Sequence, residues 1–168
     1  MRFTAILLLF FVCKVSALAD AKQEGERLFS LKVRLILSSK CFACHGEDAK
    51  KIKGELNLTS RAGLLKGGES EEPSFVPGKP LKSPLYLAAT REHEDDWSVM
   101  PPKENDKLSV TQLSVLKRWV ELGAPWPDAK TQARYIAEER AKPVTPEGML
   151  VKTSGGLSDD WTYRRYQP

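Results

Sequence analysis

Apolar residues recur at three- and four-residue steps between Ala21 and Lys40, where Leu28, Leu31 and Leu35, with Phe29 beside them, mark one face of a helix with charges between them. The run Cys41-Phe42-Ala43-Cys44-His45-Gly46 closes that stretch, and Gly46 supplies a flexible turn. Residues 47 to 58 are polar and lysine-rich, with Glu55-Leu56-Asn57-Leu58 extended. A short helix is predicted from Ser60 to Lys66, stopped by Gly67-Gly68. After a loop carrying Pro73, Pro77 and Pro80, Ser83-Pro84 has the form of an N-cap followed by proline at the first helical position, opening a helix through Ala89. A second loop, 91 to 107, contains Met100-Pro101-Pro102. Ser109 and Gln112 then form a capping box, and Leu113, Leu116 and Val120 mark a buried face that ends at Gly123, with Trp119 adding apolar surface beside it. Ala124-Pro125-Trp126-Pro127 prevents continuation. Asp128 to Ala141 reads as one more, mostly polar helix, and residues 142 to 168 as tail or linker. No internal repeat is evident.

The N-terminus changes the picture. Arg2 precedes an apolar run from Phe3 to Val12, and Ala17-Leu18-Ala19 follows with the small residues of a cleavage site, so residues 1–19 read as a secretory signal removed before Asp20. The run is shorter than the roughly 20 apolar residues of a spanning helix, and Lys14 interrupts it; an uncleaved anchor is the alternative. Cleavage takes away Arg2 and Lys14, leaving 24 basic against 22 acidic residues. Such a near-neutral chain, its charges interleaved, has no footprint for nucleic acid and no stable membrane insertion after cleavage. With 168 residues there is room for one compact domain and a tail: signal 1–19, domain 20–127, polar helix and tail 128–168.

Only Cys41 and Cys44 remain after export, and Cys41-x-x-Cys44-His45 is the attachment signature of c-type haem. Two thiols at this spacing reach the two vinyl groups on one porphyrin edge, and the adjacent imidazole is carried under the ring to ligate iron. At the chain's own cysteine and histidine frequencies the pattern arises by chance on the order of one time in a thousand. Three other readings stay open. A thioredoxin-like pair wants a βαβ setting. Zinc held by Cys41, Cys44, His45 and His93 requires adjacent residues to reach one small ion. A disulfide here would close too short a loop to stabilise much.

Iron in an electron carrier commonly takes a methionine thioether as its other axial ligand. Met100 and Met149 are the methionines beyond the signal segment, and Met100 is the candidate, because Pro101 and Pro102 stiffen the loop that would present so weak a ligand. His93 competes, but Glu92, Glu94, Asp95 and Asp96 around it describe a solvated acidic loop. Met149, beside Pro146 and Gly148, belongs to the tail.

With these residues in view the chain resembles the cytochrome c domain found at the N-terminus of many large exported planctomycete proteins. The resemblance rests on Val33-Arg34 leading to Cys41-Phe42-Ala43-Cys44-His45-Gly46, on Lys53-Gly54-Glu55-Leu56-Asn57-Leu58, on Leu65-Lys66-Gly67-Gly68-Glu69-Ser70, on Val76-Pro77-Gly78, on Met100-Pro101-Pro102 and on Trp119 to Pro127. It departs at Leu35, where the family often has proline, and at Glu72, where glycine is common. The resemblance implies a mostly α, small class I-like cytochrome c fold, with short helices around one haem and long proline-rich loops. It also implies His45 and Met100 as axial ligands, and a redox partner protein or a fused catalytic domain. Trp161-Thr162-Tyr163 is similar to the junction that leads into the family's larger domains.

The functional expectation is an exported, periplasmic monohaem carrier that transfers electrons through one covalent haem c and its iron, without catalytic residues of its own; no nucleophile with a paired base is visible. The alternatives are a haem-based, or zinc-stabilised, extracellular sensing module, and the electron-accepting domain of a larger oxidoreductase.

Overall fold

The computed structural model of the chain describes residues 19–48, 50–93 and 97–142. Almost all of the proposed export signal, Met149 and the 161–163 junction lie outside them. Six helices follow one another, and no strand occurs among the described residues; this is the mostly α fold that the resemblance implies. Helix α1 covers residues 19–40, wound as a π-helix over Phe29–Val33 and as an α-helix again over Arg34–Lys40. Helix α2 is the four-residue Phe42–His45, α3 is Arg61–Lys66, α4 Pro84–Thr90, α5 Val110–Glu121 and α6 Ala129–Arg140. Pro80–Lys82 and Glu104–Asp106 are single 3₁₀ turns within the loops.

The buried stripe of α1 differs from the leucine face expected. Phe29, Val33, Ile36 and Leu37 are buried, with Gly25 one turn earlier, whereas Leu28, Leu31 and Leu35 are only partly covered. Both sets keep helical spacing, and they sit one residue, about 100° of rotation, apart. The choice between them falls to Phe29, whose ring lies 4.3 Å from that of Trp126 and 5.8 Å from that of Trp119. Aromatic groups carry the largest burial gain per side chain, so they fix the phase. The wide π turn brings the Arg34 N–H onto the Phe29 carbonyl.

Helix α5 starts on the expected capping box: Ser109 Oγ accepts the Gln112 N–H at 3.2 Å, and Gln112 Oε1 accepts the Ser109 N–H at 2.9 Å. Trp119 is not at the margin of its buried face but at the centre, fully enclosed, with the indole N–H donating to the Pro125 carbonyl at 2.9 Å. Phe29, Phe75, Trp119 and Trp126 thus form one aromatic cluster. Arg61 closes it from α3, stacking its guanidinium over Phe75 and donating to the Ala124 carbonyl. Helix α3 is capped by Ser60, as expected, and ends on Gly67 at φ +76.

Ser83 does precede α4, but its hydroxyl makes no cap. It is fully buried, donates to the Lys79 carbonyl at 2.8 Å and accepts the Val76 N–H at 2.9 Å, so it ties the proline-rich loop down instead. Helix α6 forms where the polar pattern puts it, and it packs against α1. Tyr135 and Gln132 are buried there, Gln132 accepts from Arg34 at 2.8 Å and donates to the Pro127 carbonyl at 2.7 Å, and Arg27 pairs with Glu138 and Glu139. The packing against α1 thus extends along α6 as far as Glu139.

Candidate haem site

At the end of α1 the chain does not leave its helical path at once. The Cys41 N–H still bonds to the Leu37 carbonyl at 2.9 Å, and the Cys41 carbonyl accepts from both Cys44 at 3.1 Å and His45 at 2.9 Å. This tight turn puts Cys41, Cys44 and His45 on the wall of a cavity of about 470 Å³. The volume lies within the roughly 300–1,000 Å³ of cofactor pockets. Ile36 and Leu37 from α1, Leu85 from α4, Leu108 and Leu116 around α5, and Leu58 supply apolar walls.

The far wall comes from the 91–107 loop. Met100 and Pro101 both line the cavity, Pro101 is buried, and the Met100 N–H donates to the Ala88 carbonyl of α4 at 3.0 Å. The Met100–Pro101 peptide is cis. Cys41, Cys44, His45 and Met100 are thus brought to one cavity. His93 is not among its lining residues.

A second layer holds the histidine. The extended segment after the motif turns back so that the Lys53 N–H reaches the Cys44 carbonyl at 2.8 Å and the Leu58 N–H reaches the His45 carbonyl at 2.9 Å. The Lys53 carbonyl lies 3.1 Å from His45 Nδ1. A carbonyl can only accept, so Nδ1 is the donor in this contact, and in the neutral ring that leaves Nε2 as the nitrogen able to bind a metal. Sequence reading missed this acceptor, because a backbone carbonyl leaves no mark on side-chain identity.

Neither sulfur is in a disulfide. Cys44 is exposed, while Cys41 is partly covered by apolar neighbours, and that burial pushes its thiol up to about 12. Among the described residues no group of three or more His, Cys, Asp or Glu side chains is placed to hold a metal ion. The zinc set of Cys41, Cys44, His45 and His93 is therefore not assembled, and His93 does not line the cavity. An apolar cavity with two thiols at one rim, an imidazole with its Nε2 lone pair available and a thioether fits an iron porphyrin better than a bare cation.

No helix among the described residues is long and apolar enough to cross a membrane. No curated protein and no solved structure matches the chain. Residues 41–104, a stretch that opens on the first cysteine and includes Met100, match the family described as Planctomycete cytochrome C. Over this stretch the chain is similar to planctomycete cytochrome c domains, and its mostly helical fold agrees with that likeness.

Proposed function

We propose that the protein is an exported electron carrier, with one haem joined to Cys41 and Cys44 by thioethers and its iron held between His45 Nε2 and the Met100 sulfur. The observation that carries this reading is the convergence of all four side chains on one apolar cavity, although Met100 comes from a loop far along the chain. The bound group would supply a one-electron Fe(III)/Fe(II) couple. The chain's own residues do the rest. Leu37, Leu58, Leu85 and Leu116 exclude water, which disfavours the charged oxidised state and steadies a weak sulfur ligand. His45, hydrogen-bonded to the Lys53 carbonyl, is a fixed and more basic donor. Cys44, exposed at the rim, marks the edge where an electron would enter or leave. A redox partner or a fused catalytic domain would meet the protein there, with residues 1–19 serving as the export signal.

The test is expression in a host able to attach haem. The mature chain is expected to gain the mass of one haem that denaturation does not remove, and Cys41→Ala with Cys44→Ala to lose it. Met100→Ala is expected to change the oxidised visible spectrum and to let carbon monoxide bind the reduced protein, which the native chain resists. A native protein that takes up carbon monoxide readily would favour the gas-sensing reading instead.

A further inference from the structure

Two glycines follow α3, and the second faces the segment that steadies His45. A Cβ placed on Gly68 would stand 2.1 Å from the Gly54 carbonyl oxygen, 3.0 Å from the Leu56 Cβ and 3.1 Å from the Leu56 nitrogen. Ordinary contact between such atoms needs well over 3 Å, so any side chain at position 68 must push Gly54 away by about 1 Å. The next residue grips the same atom, since the Glu69 N–H donates to the Gly54 carbonyl at 2.8 Å. Gly54 needs such a grip. It stands at φ +59 and Glu55 at φ +52, two successive left-handed residues of which the second is not a glycine, and such turns persist only where their surroundings hold them.

The peptide joining Lys53 to Gly54 is the one whose carbonyl accepts the His45 Nδ1 proton. At 3.1 Å that bond is already near the long end of the useful range, and a shift of Gly54 by several tenths of an ångström would break it. We propose that Gly68 is a positioning residue for His45: its missing side chain lets the α3 turn lie on Gly54, and Gly54 in turn holds the acceptor that fixes the imidazole. This inference rests on the reading of His45 as an iron ligand. Its consequence is that the iron's potential is set in part from position 68, through backbone alone.

Gly68→Ala in the haem-loaded chain is the direct test, with Gly67→Ala as its companion. A Cβ on Gly67 would meet the Glu72 carbonyl at 2.0 Å, and Gly67 stands at φ +76, so this change is equally disruptive but points away from residues 53–58. With Gly68→Ala the His45 Nδ1 proton, followed by nuclear magnetic resonance in the reduced protein, is expected to exchange roughly tenfold faster, and the Fe(III)/Fe(II) equilibrium to move about tenfold toward the reduced form, a rise of about 59 mV for one electron. Gly67→Ala is expected to lower the melting temperature and leave both quantities at native values. Equal effects of the two variants, or no effect of Gly68→Ala on proton or potential, would overturn the proposal.

If Gly68→Ala does not fold, native-state hydrogen exchange on the unmodified haem-loaded protein decides. The Glu69 amide and the His45 Nδ1 proton should open together, with one denaturant dependence, and independent opening would count against the link. The ligand reading fails separately: His45 ring protons lacking a large paramagnetic displacement in the oxidised native protein would remove both claims, whereas displaced ring protons with an unresponsive Gly68→Ala would remove only the role of Gly68.

Discussion

Cys41 and Cys44 are three positions apart yet meet different surroundings. Cys44 is open to solvent, while the apolar packing over Cys41 holds its thiol neutral up to about pH 12 against an ordinary 9.0. In the haem-free chain the folded state therefore keeps a proton that the unfolded state gives up. Stability from this source is complete below pH 9 and falls as pH rises from 9 toward 12, by about 1 kcal/mol per pH unit at the steepest. Tyr86, also raised, first by burial and then by Glu92 and Glu121, acts in the same direction, so the readout is a difference. Urea midpoints of the haem-free chain are expected to drop faster between pH 9 and 11 than those of Cys41→Ala, and iodoacetamide is expected to label Cys44 well before Cys41. Identical pH dependence in the two proteins would mean that the thiol is not shielded. The spacing of the two thiols was legible in the sequence, because attachment chemistry depends on residue type. Their unequal burial was not, because it comes from residues packed over the motif after folding.

Elements were legible wherever local chemistry decides them. The Ser109 and Gln112 box, the Ser60 cap and the glycine stop of α3 all formed where side-chain and backbone rules put them. The phase of α1 was not, since two apolar stripes at helical spacing compete there, and only contacts with Trp119 and Trp126 choose between them. Ser83 shows the same limit: its position before Pro84 was right, but its hydroxyl went to loop groups distant from the helix it precedes. The chosen stripe makes a direct prediction. Phe29→Ala is expected to cost about 3–5 kcal/mol in urea unfolding of the haem-free chain. Leu31→Ala, on the partly covered stripe, is expected to cost about 1 kcal/mol, near the ordinary value for a point change. Equal losses would place the π turn, and with it the face of α1, wrongly.

Across the whole molecule, the segment that matches the family and the segments that pack around it are different parts of the chain. Residues 41–104 match the family and contain the motif and Met100, but Phe29, Trp119 and Trp126, three of the four rings of the aromatic cluster, lie outside them, as do the core residues Val33 and Val120. A domain of this size has a limited core, so each flanking helix matters. Helix α6 was legible as a polar helix, but not what it packs against, because one tyrosine and one glutamine among charges give no periodic stripe. Those two are nonetheless buried against α1, Tyr135 between Arg27 and Arg134 with its ring under both guanidinium groups. The ion pairs of Arg27 with Glu138 and Glu139 are near the surface and contribute little by themselves, so the Tyr135 ring should carry the docking. Tyr135→Ala is expected to lower stability by about 3 kcal/mol, and a chain ending at Pro127 by at least as much, while Arg27→Ala costs under 1 kcal/mol. Because α6 touches neither the cavity nor the loop of Met100, the haem spectrum of all three should stay native at temperatures below unfolding. A truncated chain as stable as the full one would mean that α6 does not dock in solution.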